Sequence, residues 1–121
     1  MILLDTNALI WLDAGHRRTR TLGRSGSLYV SPATLMELQF LQEAGRLRLR
    51  GQSLRLVVDD DRWLVDDPPA LEWLLRACDL GWTCDPFDRL LVAHARLRGW
   101  RLATADSALL ARLAPGEAVE L

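Results

Sequence analysis

Short apolar runs alternate with stretches that open on helix caps, and this alternation constrains the fold more than any other feature. Met1-Ile2-Leu3-Leu4, Leu28-Tyr29-Val30, Arg101-Leu102-Ala103 and Ala118-Val119-Glu120-Leu121 are too short for helices and read as strands. The first is continuously apolar, as in a strand covered on both faces. Between them, residues 7–14 begin a helix, and Ser31-Pro32 begins another that runs to about Ala44 with Gly45 as its stop. Asp67-Pro68-Pro69 opens a helix to about Leu80, Asp85-Pro86 opens one ending at Gly99, and 107–113 form a short helix. Residues 15–27, with four Arg and three Gly, read as a loop or broken helix. Residues 53–65 are amphipathic and read as a further short helix. Strands spaced by helices predict a parallel sheet with helices on both faces, a three-layer α/β/α sandwich. The 121 residues are expected to make one domain spanning 1–121.

Composition excludes several functions. Half of the residues are hydrophobic and 26% are charged, which suits a globular domain. All fifteen basic residues are Arg. A phosphate loop of the GxxxxGK[ST] type, a Schiff-base lysine and a kinase-type lysine are therefore absent. A phospho-receiver pocket, which needs a basic Lys beside its acids, is disfavoured for the same reason. Net charge is −1, so no global basic field advertises nucleic acid. Cys78 and Cys84 match neither a CxxC pair nor a zinc ligand set, and two free thiols suit a reducing cytoplasm. Asp5 interrupts the opening apolar run and no basic segment precedes it, so no secretory leader is expected. No stretch approaches the ~20 apolar residues of a membrane span.

In parallel sheets ligands bind beyond the carboxyl ends of the strands, and the carboxylates are placed accordingly. Asp5 directly follows the first strand, and Asp106 follows the strand at 101–103 after Thr104 and Ala105. Each also suits the cap of the next helix. Thr6 and Asn7 add polar groups to the first turn. Glu37 has Ala33, Thr34, Phe40 and Leu41 as its helical neighbours, so it lies on the border of an apolar face. In Asp85-Pro86-Phe87-Asp88-Arg89, Asp85 is explained as the cap. Asp88 is not, because Leu91 and Val92 follow it at three and four positions and point it toward the interior or a cleft. Four acids converging from separate elements repel one another unless a cation neutralises them. Oxygen donors suit Mg²⁺, or Mn²⁺ in its place. Such an ion activates water and steadies charge on a phosphoryl oxygen, so phosphodiester hydrolysis follows.

The segments MILLDTNALIW, SPATLMEL, DPFDRLLVAHA and ATAD resemble the PIN-domain ribonucleases, specifically the VapC toxins of bacterial toxin–antitoxin pairs. The resemblance runs from residue 2 to about 110. It implies the PIN fold and a metal-dependent endoribonuclease whose acidic quartet is Asp5, Glu37, Asp88 and Asp106. It implies that Asp5, Asp88 and Asp106 hold the metal, and that Asp85, Thr6, Asn7 and Thr104 border the pocket. It also implies a homodimer and a cognate antitoxin that blocks the site. Two departures bear on RNA specificity and antitoxin choice. Met36 stands where many relatives have Trp, and residues 59–67 are unusually acidic.

Other residues carry competing readings. Arg17, Arg18, Arg20 and Arg24, and likewise Arg46, Arg48 and Arg50, are either ordinary surface charge or phosphate contacts. Arg17, Arg18 and Arg46 are the RNA-binding candidates. Arg89 is expected to pair with Asp85 four residues back. His94 faces away from Asp88, as a core or interface histidine. Asp59-Asp60-Asp61 lacks the Gly and Glu of a calcium loop and reads as a solvated turn. Trp11 and Trp73 lie on apolar helical faces, and most of the five Trp belong to core or interface. The alternative function is a non-catalytic module that binds RNA or a partner protein, its acids serving as caps. A phosphatase with Asp5 as nucleophile lacks the usual DxD, because position 7 is Asn, and lacks a supporting Lys.

Overall fold

The computed structural model describes residues 1–24, 26–48 and 53–121. Five parallel strands form one sheet: β1 (Ile2–Leu4), β2 (Leu28–Val30), β3 (Leu64–Val65), β4 (Arg101–Thr104) and β5 (Ala118–Glu120). Their order is β3-β2-β1-β4-β5. The chain therefore moves outward from β1 to β3, then returns across the sheet to β4. The reversal falls between β1 and β4, which pair through Leu4 and Ala103. Crevices open at such switch points, beyond the carboxyl ends of the two strands.

Side chains alternate along β1 because successive strand residues face opposite ways. Ile2 and Leu4 join Ala8 and Leu9 of α1 (Thr6–Asp13), Leu38 of α2 (Pro32–Glu43) and Val57 of α3 (Leu54–Val58). Leu3 points the other way, into a core with Trp73 and Ala77 of α4 (Ala70–Cys78). Leu91 and Val92 of α5 (Pro86–Arg98) and Leu109 of α6 (Ser107–Leu110) complete that layer. The expected three-layer α/β/α sandwich is present.

Local chemistry sets the helix ends. Ser31 accepts from the Ala33 amide, and Asp85 accepts from the amides of Phe87 and Asp88, with Pro at the first helical position in both cases. Gly99 ends α5 at φ 68°, a left-handed conformation in which a side chain is strained. Residues 15–27 hold two short 3₁₀ turns, Arg17–Thr19 and Leu22–Arg24.

The segment 53–65 departs from expectation. It is not one short helix but α3, an acidic turn and strand β3. The indole N–H of Trp63 donates to the Val57 carbonyl at 2.8 Å and folds the chain back. Leu64 and Val65 then pair with Tyr29 and Val30 at the sheet edge. Two residues carry too little periodicity to announce a strand. The helix expected over 107–113 is also shorter, ending at Leu110.

Candidate active site

Each acid reaches the switch-point crevice from a different element. Asp5 is the first residue beyond β1. Its amide donates to the Ala103 carbonyl at 3.1 Å, and one carboxylate oxygen accepts from the Ala8 amide at 2.7 Å. Thr104, at the end of β4, hydrogen-bonds the same carboxylate. Asp106 caps α6, accepting from Ala108 at 2.8 Å and Leu109 at 3.2 Å. Glu37 projects from α2 and accepts a hydrogen bond from the Thr6 hydroxyl, which ties α2 to the first turn of α1. Asp88 stands in the first turn of α5.

These groups line one cleft of about 240 Å³, formed by Asp5, Thr6, Asn7, Glu37, Asp85, Asp88 and Asp106 with Arg46. Leu41, Leu91 and Leu109 close its apolar side. The structure thus brings together the four acids, Asp85, Thr6, Asn7 and Arg46. Thr104 lies behind Asp5 and is buried. Arg17 and Arg18 are not brought in. Helix α1 runs back from the carboxyl edge, and its eight residues carry the chain ~12 Å to the opposite edge before they occur. The apolar lining was not anticipated, because nothing at positions 41, 91 and 109 distinguishes them from core leucines.

The electrostatics of the cleft are unfavourable to a bare protein. Burial pushes the Asp5 carboxyl up from its usual range, and Asp106 adds to the shift, against the opposing bonds from Thr104 and Ala8. Glu37 is raised mainly by burial, then by Asp85 and Asp5, although the Thr6 bond opposes. Asp88 is raised furthest, to about 7, by burial and then by Asp85, Asp106, Glu37 and Asp5. It has no capping role, and among the described residues no ion pair relieves it.

Such a donor set fits a divalent cation. All the groups are hard oxygens on one crevice, and each repulsion named above falls when a cation lies among them. Among the described residues, no three such side chains already form a close cage.

Other expectations resolve outside the cleft. Arg89 does not pair with Asp85. Its Nε donates to the Thr83 carbonyl at 2.7 Å and Nη1 to Cys78 at 3.4 Å. The carbonyls of Cys78, at the end of α4, and of Thr83, in the turn that follows, take its donors, while the Asp85 carboxylate is already engaged by two amides. His94 is a core histidine: fully buried, its Nε2 lies 2.7 Å from Asp66, and its ring packs near Trp73 and Trp100. The acidic turn is braced by Arg62, which bonds Asp60 and Asp13. A groove of about 500 Å³ there, lined by Leu9, Asp13 and the 59–63 turn, faces the edge away from the acids. Trp73 lies on a buried helical face, whereas Trp11 is half-buried and stacks on His16.

Comparison with known proteins agrees with this geometry. A family model described as the PIN domain matches residues 2–114. No curated protein matches the chain. A toxin–antitoxin complex from Klebsiella pneumoniae shares the fold, with a TM-score of 0.73 at 22% identity over 100% of both chains. VapBC2 from Rickettsia felis, bound to a DNA fragment from their promoter, gives 0.69 at 19%, covering 100% of this chain and 99% of that one. PAE2754 from Pyrobaculum aerophilum gives 0.63 at 26%, covering 97% of this chain and 81% of the other.

Proposed function

Because the chain belongs to the PIN-domain family, we propose that it is a metal-dependent endoribonuclease and the toxin of a toxin–antitoxin pair. The observation that carries this reading is the convergence of Asp5, Glu37, Asp88 and Asp106 on one crevice at the sheet's switch point. A bound Mg²⁺ or Mn²⁺ would supply an acidified water and stabilise charge on the phosphoryl oxygens.

In this reading Asp5, Asp88 and Asp106 hold the cation directly or through water. The Ala8 and Thr104 bonds fix the Asp5 carboxylate, and the helix-capping bonds fix Asp106. Glu37, held by Thr6, takes a proton from the attacking water. The water oxygen bonds phosphorus, the bond to the 3′ oxygen breaks, and that oxygen takes a proton from solvent water while Glu37 gives its proton back to solvent. Arg46 meets a phosphate of the strand, while Asn7 and Asp85 border its path.

The antitoxin partner is inferred from structural neighbours described as toxin–antitoxin complexes. A homodimer is supported by the outward face of α4, where Leu71, Leu74 and Leu75 are 73%, 50% and 59% exposed at helical spacing. A cytoplasmic setting is supported by two unpaired cysteines. Among the described residues no helix is long and apolar enough to cross a membrane.

One observation favours a non-catalytic binding module: Asp5, Asp85 and Asp106 all cap helices and need no further role. Glu37 and Asp88 weigh against it. Neither caps anything, and both face like charge. The test is digestion of total cellular RNA by purified antitoxin-free protein, with Mg²⁺, with Mn²⁺ and with chelator, beside Asp5→Asn protein. Discrete fragments that vanish with chelator and with Asp5→Asn support the nuclease. Cleavage unchanged in Asp5→Asn protein would sink the assignment.

A further inference from the structure

The acids line the cleft, and a different chemistry stands beside them on α2 and α5. On α2, Met36 and Phe40 flank Glu37 and stand out into solvent, 53% and 52% exposed. Phe87 directly precedes Asp88 on α5. Its ring meets that of Phe40 edge to face, with centroids 5.7 Å apart and planes at 75°. Two aromatic side chains therefore bridge the very helices that carry Glu37 and Asp88. Exposed apolar side chains that touch one another mark a contact surface more than isolated ones do.

Charge argues for what that contact is. The cleft offers five carboxylates against Arg46, and the whole chain carries −1. A polyanionic strand gains little from such a field, since its affinity ordinarily comes from neutralised phosphates. Binding energy beyond what Arg46 and a bound cation give one phosphate then comes from a part of RNA that carries no charge. Bases stacked on aromatic rings provide it, without requiring a particular sequence. Phe40 lies one helical turn from Glu37, ~5 Å along the axis, so a strand with a phosphate at the acids brings a neighbouring base to its ring.

We propose that Phe40, backed by Phe87, is the platform on which the nucleobase beside the scissile phosphate stacks, and thereby a substrate-positioning residue of the cleavage. This rests on the nuclease reading above. Phe87 sets the tilt of the Phe40 ring, and Met36 extends the apolar ledge along α2.

The test uses fluorescein-labelled single-stranded RNA of random sequence, about 12 nucleotides long. Binding with Mg²⁺ is measured in the Asp5→Asn background, where the strand stays intact. KM and kcat are measured with active protein on the same pool. Phe40→Ala and Phe40→Leu are expected to raise Kd and KM roughly 5- to 150-fold with kcat little changed. Phe40→Trp is expected to bind as the parent does, because it keeps a ring face that Leu lacks. Phe40→Ala protein that binds the pool unchanged overturns the proposal, as does Leu restoring binding as fully as Trp. Loss of antitoxin binding with RNA binding intact overturns it too, and makes the ledge a protein-docking surface. If the parent protein neither binds nor cuts RNA, the nuclease reading itself fails. If the parent cuts and Phe40→Ala cuts identically, only the stacking platform fails.

Discussion

Asp88 concentrates the conflict in this molecule. Its carboxyl is half-buried among four other acids and is pushed up to about 7, against 3.8 for the free side chain. Between those values the folded protein holds a proton that the unfolded chain releases. Stability from Asp88 is therefore present in full below about pH 4 and lost as pH rises through about 7. Metal-free protein is expected to melt at lower temperature at pH 8 than at pH 5, and Asp88→Asn to flatten that slope. The effect is a few degrees at most, because water screens a half-exposed group. Melting curves in chelator across this range provide the check. Adding Mn²⁺ at pH 7.5 should raise the melting temperature of the parent but not of Asp88→Asn. Glu37→Gln should lower kcat by roughly 10²- to 10⁴-fold with folding intact, as loss of a proton acceptor does. Single-turnover cleavage measures it. At this scale the sequence was informative wherever a residue had no local explanation. Asp88 could be assigned to the cleft because Asp85 already accounted for the cap. Arg89 could not be placed, because the Thr83 and Cys78 carbonyls that hold it belong to a turn whose path no local pattern specifies.

The elements hold the acids in place through contacts far from the crevice. Asp66, just beyond edge strand β3, binds the buried His94 at 2.7 Å and Arg98 at 2.8 Å, both on α5. Burial lowers the His94 pKa, although Asp66 opposes, so the imidazole stays neutral and presents Nε2–H to the carboxylate. Asp66→Ala is expected to destabilise the fold by about 1–3 kcal/mol, because it leaves a buried donor unpaired. Urea unfolding at pH 7 measures that loss. The helix that should loosen is the one that carries Asp88. On α4, Leu74→Glu should convert a homodimer to a monomer, read by sedimentation, with little loss of monomer stability. Helix starts were legible because Ser31-Pro32 and Asp85-Pro86 are strong local signals. Strand β3 was not, because two residues at an edge owe their form to Tyr29 and Val30 rather than to themselves.

Across the whole molecule, function follows from strand order. The chain builds β1, β2 and β3 outward, then crosses to β4, and the reversal leaves the carboxyl ends of β1 and β4 side by side. Asp5 and Asp106 come together for that reason alone, 101 positions apart in sequence. Parallel strands and a carboxyl-edge site could be read from the alternation of runs and caps. The order of the strands could not, since it depends on which helices cover which face. Nor could the separation of the two Arg groups, which put Arg46 in the cleft and Arg17 and Arg18 at the far edge. The nuclease reading takes water as the attacking group, because a divalent cation held by the acids would acidify it. The most direct test is the chemistry of the fragment ends after cleavage of a single RNA. The account predicts 5′-phosphate and 3′-hydroxyl ends, formed only with a divalent cation and not by Asp5→Asn protein. Fragments ending in 2′,3′-cyclic phosphate, formed equally well in chelator, would contradict it.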